Sequence, residues 1–196
     1  MTHLRFTVAT LAAVLTVGAN ALAKDQWKTV TLGGDPAFTV SIPAAVTDHN
    51  GGAKDANDLM FFSVTAGPHG SLTCIAYRAA YPKGATQAQF VAALASERRE
   101  TFCKHDGATI SGLNIGGSRS FDHNGLQAAV CTASYTDSSK KMPGHVRSQM
   151  VVAATDKAYF LTCTVEDEDQ EIAEYEWASL WSEKVRHVQD SFRVPK

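Results

Sequence analysis

HVRSQMVVAATDKAYFLTCTVEDEDQEIAEYEWASLWSEKVRHVQDSFRV, residues 145 to 194, frames the fold of this chain. His145 to Ala154 and Ala158 to Val165 are β-rich runs separated by Thr155-Asp156-Lys157, which predicts a tight antiparallel hairpin. The acidic run Glu166-Asp167-Glu168-Asp169 follows, with Gln170 three residues after Asp167, so these acids are placed to cap and complement the positive end of a helix. Ile172, Trp177, Leu180, Trp181, Val185, Val188 and Phe192 then recur at helical spacing, and Lys184, Arg186 and His187 lie toward the negative end. Trp177 and Trp181 are expected to pack this helix on a sheet.

Working outward, the region upstream of the hairpin reads as more antiparallel strand. Leu126 to Tyr135 and the segment ending at Asp122 flank His123-Asn124-Gly125, and Asn-Gly between extended runs is a strong hairpin signal because both turn positions need positive φ. Asp106 to Ile115 reads as a strand broken by Gly116-Gly117. The polar stretch Thr136 to Gly144, with Lys140 and Lys141, reads as a solvated loop.

Thr86 with Gln89 three residues on forms a capping box, opening a helix expected to run to about Phe102. Val91, Leu94, Ala95, Arg98 and Phe102 give that helix a single sheet-facing stripe. Before it, Leu59 to Thr65 and Leu72 to Tyr81 read as a hairpin around Ala66-Gly67-Pro68-His69-Gly70, and Trp27 to Leu32 with Phe38 to Ile42 as another around Gly33-Gly34-Asp35-Pro36. Asp48 to Asp58, rich in Gly, Asp and Asn, reads as a surface loop and lacks the residue order of an EF-hand calcium loop.

The first 23 residues read as a secretory signal peptide: Arg5, an apolar run, and the small-residue site Ala21-Leu22-Ala23. Cleavage after Ala23 leaves 173 residues, expected to form a single domain over 24–196. Loss of Arg5 moves the formal charge from −2 to −3, so there is no basic excess to hold nucleic acid or an anionic membrane. The mature chain has no second apolar run of the roughly twenty residues needed to span a bilayer. The expected location is the periplasm or the exterior, with no integral membrane association.

Cys74, Cys103, Cys131 and Cys163 are an even set in an exported chain, which predicts two disulfides. Their spacings contain no C-x-x-C. A strand climbing from Cys74 and a helix of about sixteen residues descending to Cys103 cover comparable heights, at about 3.3 and 1.5 Å per residue. That geometry predicts a Cys74–Cys103 bridge and leaves Cys131 for Cys163, a pairing that requires neighbouring strands.

The order of elements resembles the PsbP-like superfamily, which includes DcrB-type bacterial envelope proteins and the Ran-binding Mog proteins. Phe38-Thr-Val-Ser-Ile-Pro43 resembles its F-x-V-x-x-P entry, and the apolar strand Tyr159-Phe-Leu-Thr-Cys163, the long helix and Asp190-Ser191-Phe192-Arg193 resemble its close. The resemblance implies an α+β fold, a mostly antiparallel sheet with two main helices packed against it, and a non-enzymatic accessory or binding role with no shared catalytic residue. The chain departs from the DcrB-type pattern in having no lipid-accepting cysteine and in carrying four cysteines in its mature part.

The residues offer no strong chemical motif. Gly116-Gly117-Ser118-Arg119-Ser120 fails the G-x-S-x-G pattern at its last position and reads as a loop, and neither H-E-x-x-H nor a P-loop occurs. Of the mature histidines, His49, His69, His105, His123 and His145 stand beside Gly, Asp or Asn in expected loops, and His187 is on the long helix. The expected function is therefore an exported accessory or binding protein that engages another envelope protein or a small ligand, without cofactor, metal or catalytic residue. The alternative is a metal-assisted hydrolase using Asp48, His49, Asp55 and His69. Either way, the candidate binding loops hold Asp48, His49, Asp55, Asp58, His69, Lys140 and Lys141.

Overall fold

The structure, a computed structural model, describes residues 26–32, 37–47, 58–65, 71–104, 110–137, 142–166 and 174–196. The chain opens with strands β1 (Trp27–Leu32), β2 (Phe38–Pro43), β3 (Asp58–Thr65) and β4 (Ser71–Ala80), and burial alternates along β2 and the first part of β4. Helices α1 (Gln87–Ala95) and α2 (Arg99–Cys103) follow, then β5 (Ile110–His123), β6 (Leu126–Asp137), β7 (Met142–Ala153), β8 (Lys157–Glu166) and the long helix α3 (Glu174–Ser191). β1 and β2 form a hairpin, and the other six strands form one antiparallel sheet ordered β3-β4-β8-β7-β6-β5.

The order follows from one crossover. The β3–β4 hairpin hands the chain to α1 and α2, which carry it to the far edge, and the meander from β5 to β8 returns until β8 closes against β4. Two hairpins have their turns among the described residues. Asn124 and Gly125 have φ of 58° and 83°, as the β5–β6 turn requires, and the Gly125 amide donates to Asp122 Oδ1 at 2.9 Å. At the β7–β8 turn the Ala154 amide donates to the Lys157 carbonyl at 3.0 Å.

Strand period two sorts side chains onto two faces. One face carries Met60, Phe62, Leu72, Met150, Val152, Tyr159, Leu161 and Val165, and packs against β2 and the inner stripe of α3, where Val185, Val188 and Phe192 are buried. The opposite face presents smaller groups, Ala129, Ala133, Ala153 and Ala158, against Val91, Leu94 and Phe102 of α1 and α2. Small residues there let the helices approach closely. The result is three layers: α1 and α2, the sheet, and α3 with the β1–β2 hairpin.

The two faces also decide the disulfides. Cys74 is bonded to Cys163 and Cys103 to Cys131, which corrects the pairing expected from chain heights. The height argument ignored the side of the sheet: Cys74 and Cys163 point into the core under α3, whereas Cys103 and Cys131 belong to the core under α1 and α2. Cys74 and Cys163 are direct cross-strand partners with Cα atoms 4.1 Å apart, while β7 stands between the strands of Cys131 and Cys163. The α2-to-sheet staple still exists, made by Cys103 with Cys131.

Two further expectations are revised. The helix from Thr86 has its capping box, but it stops at Ser96, whose hydroxyl turns back to the Ala92 carbonyl at 2.7 Å, and resumes as the short α2. Gly116-Gly117 does not break a strand. It lies inside β5, where register shifts at Ser111/Asn114 and Ile115/Gly117 absorb the irregularity. No helix among the described residues is long and apolar enough to cross a membrane.

The N-terminal and C-terminal motifs form one clasp. Phe38 and Phe192 meet edge to face at 5.5 Å, the backbones of Thr39 and Arg193 exchange two hydrogen bonds of 2.8 Å, and the Ser41 amide donates to Ser191 Oγ at 2.9 Å. Ser191 in turn donates to the Val188 carbonyl at 2.8 Å, so the last turn of α3 is capped by the same hydroxyl that holds β2.

Candidate functional site: a cleft between α3 and the sheet

Six strands at a spacing of about 4.8 Å make a sheet about 24 Å wide, and a helix about 10 Å across with a two-stranded hairpin does not cover it fully. α3 and the hairpin pack toward the β4, β8 and β7 side, leaving part of the β5–β6 face open. The opening is a cleft of about 630 Å³. This size suits a small ligand.

Each wall follows from a repeat. On the sheet side, Arg119 and Phe121 of β5, Val130 and Thr132 of β6, Ser148 and Met150 of β7 and Val165 of β8 are residues of one strand face. On the helix side, Ser182, Val185, Arg186, Gln189 and Asp190 recur at three and four positions and share one stripe of α3. Phe121, Val130, Met150, Val165 and Val185 make most of the lining apolar, with polar groups set around them. Gly116 and Gly117 line the outer edge, where the wall has no side chain.

Hydrogen bonds hold the walls at a set distance. Gln189 Nε2 donates to Ser148 Oγ at 2.9 Å, tying α3 to β7. His123, expected in a loop, is instead the last residue of β5, is buried, and donates from Nε2 to the Phe192 carbonyl at 2.6 Å. It pins the end of α3 to β5 at one end of the cleft. The Arg119 guanidinium lies 5.4 Å over the Phe121 ring.

The sequence-level candidates fall elsewhere. Asp48, His49, Asp55, His69, His105, Lys140 and Lys141 lie outside the described residues, as do the acids Asp167 to Asp169, and Asp58 is the first residue of β3, paired with Tyr77. Trp177 and Trp181 fall on α3, but their side chains are not among those described. His145 lies in β7, and His187 on the outside of α3 meets Trp27 at 4.1 Å between ring centroids. Among the described residues no three His, Cys, Asp or Glu side chains gather as a metal centre requires. The cleft residues left one signal in the sequence: Thr132 and Ser148 place hydroxyls on the otherwise apolar face of β6 and β7.

Neither a family model nor a curated protein matches the sequence. Solved structures do share its fold. Cyanobacterial PsbP from Synechocystis sp. PCC 6803 matches with a TM-score of 0.58 at 12% identity, over 87% of this chain and 94% of its own. LpqN of Mycobacterium tuberculosis, described as involved in cell envelope biogenesis, matches with a TM-score of 0.55 at 12% identity, over 90% and 96%. PA94 of Pseudomonas aeruginosa, of unknown function, gives 0.50 at 13% identity, over 86% and 97%. The chain has the PsbP-like α+β fold that its two terminal motifs resemble.

Proposed function

We propose that this chain is a non-enzymatic, exported binding protein that takes the apolar body of a small ligand into the cleft between α3 and β5 to β7. The observation that carries this reading is the cleft: an apolar lining, a few fixed polar groups and walls braced by Gln189–Ser148 and His123–Phe192. A braced, largely preformed site loses little freedom on binding. Export follows from the reading of residues 1–23, and two disulfides suit an oxidising compartment. β5 also ends the sheet and could offer its outer edge to a partner protein, but its two register shifts are the usual device that discourages strand addition.

The test is native mass spectrometry of the mature protein, first refolded from denaturant to strip it and then mixed with an envelope extract. Thr132 is exposed on the cleft floor, so Thr132→Trp fills the space without disturbing the core. The wild type should acquire small-molecule adducts that Thr132→Trp loses. Identical adduct patterns in the two proteins, or none in either, would discard the reading.

A further inference from the structure

We infer that the ligand taken by the cleft is an amphipathic anion, an apolar body carrying one carboxylate, sulfonate or phosphate group; this rests on the binding reading above and adds the charge of the head group. Among the described residues, the charged side chains lining the cleft are Arg119, Arg186 and Asp190, two cations against one anion. Neither guanidinium forms an ion pair among the described residues, and Arg119 lies on the Phe121 ring. Unpaired guanidiniums at the border of a low-dielectric surface present forked N–H donors suited to a planar or tetrahedral oxyanion.

The positions of the two arginines give the ligand a direction. Arg119 comes from the edge strand and Arg186 from the facing helix, so one anionic group between them is approached from both walls. The apolar body then lies over Val130 and Met150, inside the walls. At the outer edge a Cβ built on Gly117 meets nothing within 4 Å, and its φ is not in the left-handed region. The backbone therefore does not require glycine there; the missing side chain leaves the mouth open.

The experiment compares three probes with the same chain below their micelle concentrations: dodecanoate, 1-dodecanol and dodecyltrimethylammonium, titrated calorimetrically into the mature protein. Dodecanoate should bind most tightly, and Arg119→Gln with Arg186→Gln should weaken it about tenfold or more while changing dodecanol by less than about twofold. Thr132→Trp and, as a second blocking variant, Gly117→Leu should weaken dodecanoate and dodecanol together. Equal binding of dodecanoate and dodecanol, or a double arginine variant that binds dodecanoate like the wild type, overturns the anionic head group and leaves the cleft standing. Binding by none of the three probes, or binding unmoved by both blocking variants, overturns the inference together with the cleft reading.

Discussion

Phe38 and Phe192 stand edge to face with ring centroids 5.5 Å apart, both fully or almost fully buried, and so join the second strand of the chain to its last helix. Around them the Thr39–Arg193 backbone pair and the Ser41–Ser191 hydrogen bond complete the clasp. The same end of α3 is held to β5 by His123, so the clasp also sets one end of the cleft.

Phe192→Ala should therefore be among the costliest single changes, destabilising the fold by about 3 to 5 kcal/mol through a cavity that two elements share. Ser191→Ala, which removes the partner of the Ser41 amide, should cost about 1 to 2 kcal/mol. Urea unfolding of the three proteins checks both. A Phe192→Ala loss no larger than that of Ser191→Ala would show that the ring contact carries little of the clasp.

All four cysteines are buried, with Cys74 and Cys163 fully inaccessible. Peptide mapping without reduction should return Cys74 linked to Cys163 and Cys103 linked to Cys131, and a thiol reductant without denaturant should leave both intact on the time scale in which urea-unfolded protein is fully reduced. In the chain-entropy account, loops of 89 and 28 residues correspond to about 4.5 and about 3.5 kcal/mol. Replacing either pair by alanine should thus lower the unfolding midpoint strongly, and the Cys74/Cys163 pair more. Rapid native-state reduction would contradict the buried placement.

Tyr81 shares its hydroxyl proton between the carbonyls of Ala154, at 2.5 Å, and Lys157, at 3.0 Å, and so anchors the β7–β8 turn. Burial, reinforced by Asp156, pushes its pKa from 10.0 up to about 12. The folded state thus holds this proton more tightly than the unfolded chain. Its contribution is intact below pH 10 and is lost as pH rises from 10 through about 12. Melting temperature should fall over that window, and Tyr81→Phe should be less stable at neutral pH with a shallower fall. Parallel melting curves for the two proteins from neutral pH to 12 would remove Tyr81 from the alkaline transition.

Among the described residues Thr162 Oγ1 and the Tyr159 hydroxyl are buried without a hydrogen-bond partner, and burial raises the Tyr159 pKa. A buried hydroxyl that makes no bond costs desolvation and returns nothing. Thr162→Val and Tyr159→Phe keep the shape of each side chain, so each should leave stability unchanged or raise it by up to about 1 kcal/mol. A clear loss in either variant, read by denaturant midpoint, would mean that the hydroxyl has a partner in solution.

Much of the architecture was legible in local pattern. β-Rich runs marked most of the strands, Asn124-Gly125 marked its hairpin, and Thr86 with Gln89 marked the start of α1, because each of these signals acts between residues a few positions apart. The break at Ser96 was not legible, since a side chain bonding back to the previous turn competes with the helix without disturbing its apolar period. Nor was the strand character of Gly116-Gly117, which tertiary pairing with β6 imposes against a weak local preference.

By itself the sequence determined the α+β class, the antiparallel hairpins, the long C-terminal helix and the presence of four cysteines to be paired. Only the tertiary structure decided which cysteines meet, because pairing depends on the face of the sheet and on strand order, and neither is a property of spacing along the chain. The cleft has the same origin. Arg119, Thr132, Met150 and Arg186 come from four separate elements, and they surround one space only because a single helix and a hairpin leave part of a six-stranded sheet uncovered. Local forces choose elements; the width of one layer against another decides where a site remains open.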